Sequence, residues 1–228
     1  MPGDVRQNLS RHLELVERLP RGEPVFLLFP ELSLTGYEPA LADPCAVAEN
    51  TPLLDGLEDL CRAREIKVAV GAPIQGNGRP YIGMLILGGP ERQLYRKQHL
   101  HPDEEPFFEP GATELRIDLG DCVLQPAICY ESVLPSHAQA AVEAGANVYA
   151  ASVAKHQEGV EKALPHYRRI ACEHRMTVLL SNCVGPCDNH VAGGCSCIIA
   201  PNGEVVRSLG PTETGLLVWE FPGTSAKD

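Results

Sequence analysis

Three segments of the chain each set one chemically capable side chain just past an apolar run. In the first, Val25-Phe26-Leu27-Leu28-Phe29 leads into Pro30 and Glu31. A carboxylate at the end of a wholly apolar stretch is held partly out of water. Desolvation raises its pKa towards neutrality, where it works as a general base. In the second, Lys97 stands between a short strand and a Pro-rich loop. An ammonium there supplies fixed positive charge to an oxygen that becomes anionic during a reaction. In the third, Cys129 separates the apolar stretch 122–128 from a helix opened by Pro135. At such a strand-to-helix elbow the backbone N–H of Tyr130 can point at the same spot as the sulfur, and a helix N-terminus favours thiolate. Base, cation and thiol are the parts of a nucleophilic acyl-transfer site. Each also has a plain reading by itself: a strand-end carboxylate, a surface lysine, a buried structural thiol.

The elements that must position these residues alternate between helix and strand. Val5, Leu9, Leu13, Val16 and Leu19 recur at helical spacing and predict an amphipathic helix over 5–19, stopped by Pro20 and Gly22. The continuous apolar run 25–29 predicts a strand buried on both faces. Leu53, Leu54, Leu57, Leu60 and Cys61 form a second helical stripe. Strands are expected over 67–72 and 82–87, parted by the Gly- and Pro-rich turn 75–80. Residues 115–119 and 122–128 read as a hairpin around Gly120-Asp121. A helix over 136–144, a strand over 147–151, a helix over 158–173 and a strand over 177–182 follow. Residues 195–200 and 204–208 flank the turn Pro201-Asn202-Gly203, and 215–221 close the chain. This interleaving predicts an α/β layered fold with its site in loops at the carboxyl ends of strands. No repeat, low-complexity tract or linker interrupts it, so residues 1–228 are expected to form one domain.

The bulk composition narrows the function classes. The chain has 228 residues, 44% hydrophobic, with a formal net charge of -11. An acidic surface without a basic patch argues against nucleic acid or an anionic membrane as partner. No apolar run reaches transmembrane length, and charges scattered through the first nineteen residues do not fit a signal peptide. A cytoplasmic protein is expected. Nine cysteines, an odd number in that setting, read as reduced thiols rather than a disulfide framework. Cys183, Cys187, His190, Cys195 and Cys197 are dense in metal-type ligands, but their spacing is not one of the usual zinc-finger spacings. They are the candidates should a structural zinc exist. Cys195 and Cys197, two apart on a strand, would share one face.

Taken together, "FPELSLTGY", "YRKQHL…E…FEPG" and "ICYESVLP…A…GAN", with the later "GGCSCIIAPNGEVV", resemble the motifs of the nitrilase, or carbon–nitrogen hydrolase, superfamily, in order and over residues 3–220. The resemblance implies an α/β four-layer α-β-β-α sandwich with two mixed β-sheets, a homodimer or larger homo-oligomer, and no cofactor. It implies that Glu31, Lys97 and Cys129 form a catalytic triad. Glu104, rather than its neighbour Glu105, matches a further family glutamate that orients Lys97 or the substrate. Tyr130 would contribute its N–H to the oxyanion site. Tyr37, His156, Tyr167 and Arg168, with Lys155, are carried as candidate substrate contacts; a solvated helix face is the competing account of the residues from 155 on. The implied reaction is hydrolysis of a non-peptide C–N bond in a small-molecule amide or carbamoyl compound through a thioester, with release of ammonia or an amine. A nitrilase acting on nitriles and a non-catalytic binding or regulatory protein on the same scaffold are the alternatives. His99 or His101 paired with Cys129 would be a different activation scheme.

The chain departs from the family pattern in three places. The strand that usually precedes the "GD…N" segment has no counterpart ahead of Gly3-Asp4, so the family's first strand is expected to be missing and an edge beside 25–29 to be unpaired. The stretch Glu131-Ser132-Val133-Leu134-Pro135-Ser136 lacks the arginine and Pro-Glu pair of many amidases, which argues against a carboxylate-bearing substrate such as an ω-amide. Tyr130 stands where true nitrilases more often carry tryptophan, which favours amides over nitriles. Cys-Tyr-Glu also resembles the lipoprotein N-acyltransferase branch, which is membrane-embedded and is discounted because this sequence has no membrane helix.

Overall fold

The computed structural model describes residues 1–20 and 25–220. Helix α1 (Val5–Glu17) starts at Asp4, whose side chain accepts from the Gln7 N–H. Gly22, half of the expected helix stop, lies outside the described residues. The first sheet follows the order β1 (Val25–Leu28), β2 (Ile66–Ile74), β3 (Tyr81–Leu87) and β4 (Gln93–Arg96). β1 runs parallel to β2, and the other neighbours are antiparallel. Short α2 (Ala42–Cys45) and α3 (Asp55–Ala63) lie between β1 and β2 in the chain.

The second sheet is also mixed. Its chain order is β5 (Ile117–Asp118), β6 (Val123–Ile128), α4 (Pro135–Glu143), β7 (Val148–Val153), α5 (Gln157–His174) and β8 (Thr177–Asn182). After a separate hairpin, β9 (Val184–Cys187) with β10 (His190–Gly193), it ends in β11 (Cys197–Ile199) and β12 (Val205–Ser208). Spatially the order is β12-β11-β8-β7-β6-β5, with β6, β7 and β8 parallel.

Alternation along the strands assigns the layers, because successive side chains leave a strand on opposite faces. Val68, Val70, Ala72, Leu85 and Leu87 pack with Val16, Leu57 and Cys61 of the helices that cover the first sheet. Ala69, Ile82, Met84, Ile86 and Tyr95 face the other way and meet Leu124, Ile128, Val148 and Ala150 of the second sheet. Ala127, Tyr149, Ala151 and Val153 then turn outward onto Ala138 and Ala141 of α4 and Val160, Ala163 and Ile170 of α5. Three apolar interfaces between four layers make the α-β-β-α sandwich. Each fully buried Val, Leu or Ile contributes about 1.5–3 kcal/mol to it.

One local expectation changes. The run 25–29 is half-buried over β1 rather than buried on both faces, because β1 ends the sheet and pairs only with β2 among the described residues. Within the Cys183–Cys197 stretch, β9 and β10 form an antiparallel hairpin. Residues 215–220 carry no regular structure. Among the described residues no helix is long and apolar enough to cross a membrane.

One glycine fixes how the first sheet meets its loop. A Cβ at Gly71 in β2 would lie 2.4 Å from Leu32 N and 2.8 Å from Pro30 O. Gly71→Ala must therefore push the turn that carries Glu31 away from β2. The expected loss is about 2 kcal/mol, a fall in Tm of about 4–8 °C by scanning calorimetry; an unchanged Tm would contradict the packing.

Candidate active site

Glu31 sits in a tight turn after β1. Ser33 N–H donates to Pro30 O, and Thr35 N–H donates to Leu32 O; Leu32 is left-handed at φ +49°. Helix α1 and β2 clamp this turn from two sides. Asn8 donates to Leu34 O at 3.0 Å, His12 Nε2 is 2.9 Å from Ser33 Oγ, and Leu34 N–H donates to Gly71 O. Burial pulls the His12 pKa down to about 4, so the ring is neutral and serves as a hydrogen-bonding post.

The turn delivers the Glu31 carboxylate to a buried cation. Lys97, directly after β4, donates to Glu31 Oε1 at 2.8 Å and to Glu104 Oε1 at 2.7 Å, and all three side chains are at most 2% exposed. Glu104 is held in turn by the Tyr37 hydroxyl at 2.9 Å and the His101 N–H at 2.8 Å. Its neighbour Glu105 is exposed. Burial pushes the Glu31 pKa up, Lys97 opposes the rise and Glu104 adds to it, leaving it at about 7. Burial alone would pull Lys97 down, but Glu31 first, then Cys129 and Glu104, hold it above the usual lysine value. Among the described residues Glu31 Oε2 is buried and makes no well-formed hydrogen bond.

Cys129 occupies the elbow between β6 and α4 with φ +46°, a left-handed conformation that a non-glycine residue adopts at a cost of about 1–3 kcal/mol. Its N–H donates to Ser152 O at 2.9 Å, and its carbonyl accepts from Ser132 N–H and Oγ. Burial and then the Glu31 charge raise the thiol to about 12, against the pull of Lys155, Lys97 and a hydrogen bond from the Ala154 N–H. The N–H of Tyr130 donates to no protein acceptor among the described residues.

Two buried side chains set these pieces against one another across the sheets, and the sequence reading did not single out either one for this. Ser152 of β7 donates through Oγ to Phe29 O at 2.8 Å while its carbonyl receives the Cys129 N–H. It thus joins the end of β1 to the elbow. Glu131, wholly buried, accepts from Ile128 N–H and the Tyr95 hydroxyl through Oε1, and from the Gln98 and His99 N–H groups through Oε2. It joins the elbow to the loop after Lys97. His137, neutral because burial lowers its pKa, completes this network between the Tyr95 and Tyr149 hydroxyls. A carboxylate two residues past a candidate nucleophile was the signal available in the sequence, but its backbone partners are invisible there.

The expected substrate contacts are placed differently from one another. Tyr37 is at the buried cluster and donates to Glu104. Tyr167 is fully buried under the elbow, 2.6 Å from Ser132 Oγ, because the apolar face of α5 packs onto the sheet. Arg168, on the exposed face of α5, donates to Gly203 O in the β11–β12 turn. His156 caps α5 and stacks edge-on against His190. Tyr130 packs against His101, which pairs with Asp103; His99 and His101 are both exposed and neither bonds Cys129. The metal candidates separate: Cys183 and Cys187 pack between the sheets, whereas Cys195 and Cys197 pack on the α5 side. Among the described residues no group of three or more His, Cys, Asp or Glu side chains is placed to hold a metal ion.

The carbon-nitrogen hydrolase family model matches residues 1–226, and the chain belongs to that family. It is 29% identical over 220 residues to an (R)-stereoselective amidase of Pseudomonas sp, covering 92% of this chain and 78% of the relative. It is 24% identical to the 2-oxoglutaramate amidase of Bacillus subtilis, covering 92% and 83%. In fold it is similar to an amidase of the nitrilase superfamily from Nesterenkonia AN1 bearing a cysteine-to-serine substitution, with TM-score 0.80 and 23% identity over 92% of this chain and 84% of that one. It is also similar to a branch 10 member of the superfamily from Saccharomyces cerevisiae, with TM-score 0.83 and 20% identity over 94% and 83%.

The Glu131 cross-link has a measurable weight. Glu131→Gln replaces acceptor lone pairs with N–H donors facing the Gln98 and His99 N–H groups, so buried donors lose their partners. We expect a loss of about 2–4 kcal/mol in urea unfolding, whereas Glu105→Gln on the exposed neighbour of Glu104 should cost under about 0.5 kcal/mol. Equal losses would remove Glu131 from the framework of the site.

Proposed function

We propose that the protein hydrolyses a non-peptide C–N bond of a small-molecule amide, with Cys129 as nucleophile, Glu31 as general base and acid, and Lys97 with the Tyr130 N–H as oxyanion donors. The observation that carries this reading is the buried Lys97 bridging Glu31 and Glu104 beside a cysteine in a left-handed elbow. The whole chain is read as one hydrolase domain.

In this scheme Glu31 removes the proton from Cys129 as the sulfur attacks the carbonyl carbon. A thiol near 12 and a base near 7 disfavour a free thiolate, so proton transfer accompanies attack. The unpartnered Oε2 of Glu31 offers the lone pair that receives the proton. The tetrahedral oxyanion is held by Lys97 and the Tyr130 N–H, each donor being worth about 3 kcal/mol. Glu31 gives the proton to the departing nitrogen, the C–N bond breaks, and ammonia or an amine leaves. Glu31 then deprotonates water, which hydrolyses the thioester and restores the thiol. Glu104 positions Lys97. In a glutamate-to-glutamine mutant of the Nesterenkonia sp. AN1 amidase the acetamide moiety of fluoroacetamide is covalently added at the active-site cysteine, which supports a sulfur nucleophile. The reading further makes the protein a cytoplasmic homodimer or larger homo-oligomer.

An ammonia-release screen across amides, ureido acids and nitriles tests the reaction class. Amides are expected to turn over, and Cys129→Ala should lower the rate at least about a thousandfold; undiminished release from that variant discards the scheme. The pH profile tests the base. Glu31 must be ionised to accept a proton, and its raised pKa means that it protonates as pH falls through about 7. kcat/KM should therefore drop about tenfold per unit below that point, and a flat acid limb would remove Glu31 from the role.

A further inference from the structure

Four buried side chains form one run of hydrogen bonds that the reaction scheme above does not use. Tyr149 is the second residue of β7, His137 the third of α4 and Tyr95 the third of β4, and Glu131 lies in the elbow between Cys129 and α4. Each is at most 7% exposed. Tyr149 Oη is 2.7 Å from His137 Nδ1, His137 Nε2 is 3.1 Å from Tyr95 Oη, and Tyr95 Oη is 2.7 Å from Glu131 Oε1.

The carboxylate at one end fixes which atom donates at every link. Both Glu131 oxygens already receive backbone donors: Ile128 N–H on Oε1, and the Gln98 and His99 N–H groups on Oε2. The Tyr95 hydroxyl therefore directs its one proton at Oε1. Its oxygen can then only accept from His137, so Nε2 carries the ring proton. A neutral imidazole has one such proton, so Nδ1 is bare and accepts from the Tyr149 hydroxyl. The opposite tautomer would aim a lone pair at an oxygen with no proton to give, and a buried polar atom left so costs about 1–3 kcal/mol.

The run ends where the candidate site begins. Tyr95 and Lys97, two apart at the end of β4, point to the same face. Glu131 holds Tyr95 on one side of Lys97 and Gln98 and His99 on the other, so one carboxylate brackets the cation along the chain. Through Ile128 it also holds the residue next to Cys129. A hydroxyl donates more strongly when its own oxygen accepts a hydrogen bond. His137 thus acts on the bracket through Tyr95.

We infer that His137 is a positioning residue for Lys97, acting as the Nε2–H tautomer through Tyr95 and Glu131. The inference rests on the hydrolase reading above and adds a residue outside the reacting groups. A histidine that only filled space would supply volume here and need no particular proton. The ring borders a cavity of about 270 Å³ shared with Gln98, Gln125 and the exposed residues His99, Glu114 and Ser136. A small heterocycle can therefore reach its place once the side chain is removed.

Chemical complementation separates the proton from the volume. His137→Ala should speed hydrogen exchange of the Gln98 and His99 amides about tenfold, read by NMR on the folded protein. It should lower kcat about tenfold, with KM within about twofold, for the amide that turns over fastest in the screen. Imidazole at mildly alkaline pH is neutral and has one donor and one acceptor; it should restore both the slow exchange and most of kcat. Thiazole has nearly the same shape and accepts at nitrogen but has no N–H; it should restore neither. In the native protein, the nitrogen shifts of His137 should place the proton on Nε2, a measurement that needs no variant. A proton on Nδ1, exchange unmoved by His137→Ala, or equal rescue by the two heterocycles overturns the inference. A native protein that turns over no amide, with tautomer and exchange as expected, removes the hydrolase reading alone.

Discussion

A lysine ammonium sealed between two carboxylates is the constraint on which the rest of this structure depends. Taking three charges out of water is expensive, and only short, well-aligned contacts repay it. Lys97 makes two, at 2.8 and 2.7 Å. The remaining lone pairs of Glu104 are taken up by Tyr37 and the His101 N–H. The cluster has one more carboxylate than cations, and burial places that excess on Glu31 as a raised affinity for a proton. A basic carboxylate near neutrality is therefore a consequence of how the charges are counted inside the sandwich.

Those charges come from separate parts of the chain, so the framework must hold them within hydrogen-bonding tolerance. It does so with backbone contacts at the seam of the two sheets. The Glu31 turn is pressed against β2 where a glycine allows it, and Ser152 ties the end of β1 to the Cys129 elbow. Glu131 ties that elbow to the loop after Lys97. These residues stabilise the seam and hold Glu31, Lys97 and Cys129 in place at once. Rigid elements carry the site, and the strain of a left-handed cysteine is balanced by the contacts around it.

Period-two alternation and helical stripes were enough to read the layered α/β fold, because burying an apolar face leaves few alternatives. The motifs around Glu31, Lys97 and Cys129 were legible for a similar reason: each pairs a reactive side chain with the end of an apolar strand. The sequence by itself did not distinguish Tyr167 beneath the elbow from a residue facing the pocket, since both sit on a helix at permissible spacing. It did not separate Cys187 from Cys197, which lie on opposite sides of one sheet. Nor did it reveal the work of Ser152 and Glu131, whose partners are backbone groups far away in the chain. Local pattern thus determined the elements and the candidate groups at their ends. Only the closing of two sheets on each other decided which groups meet and which charges lose their water, because those properties belong to contacts between distant segments.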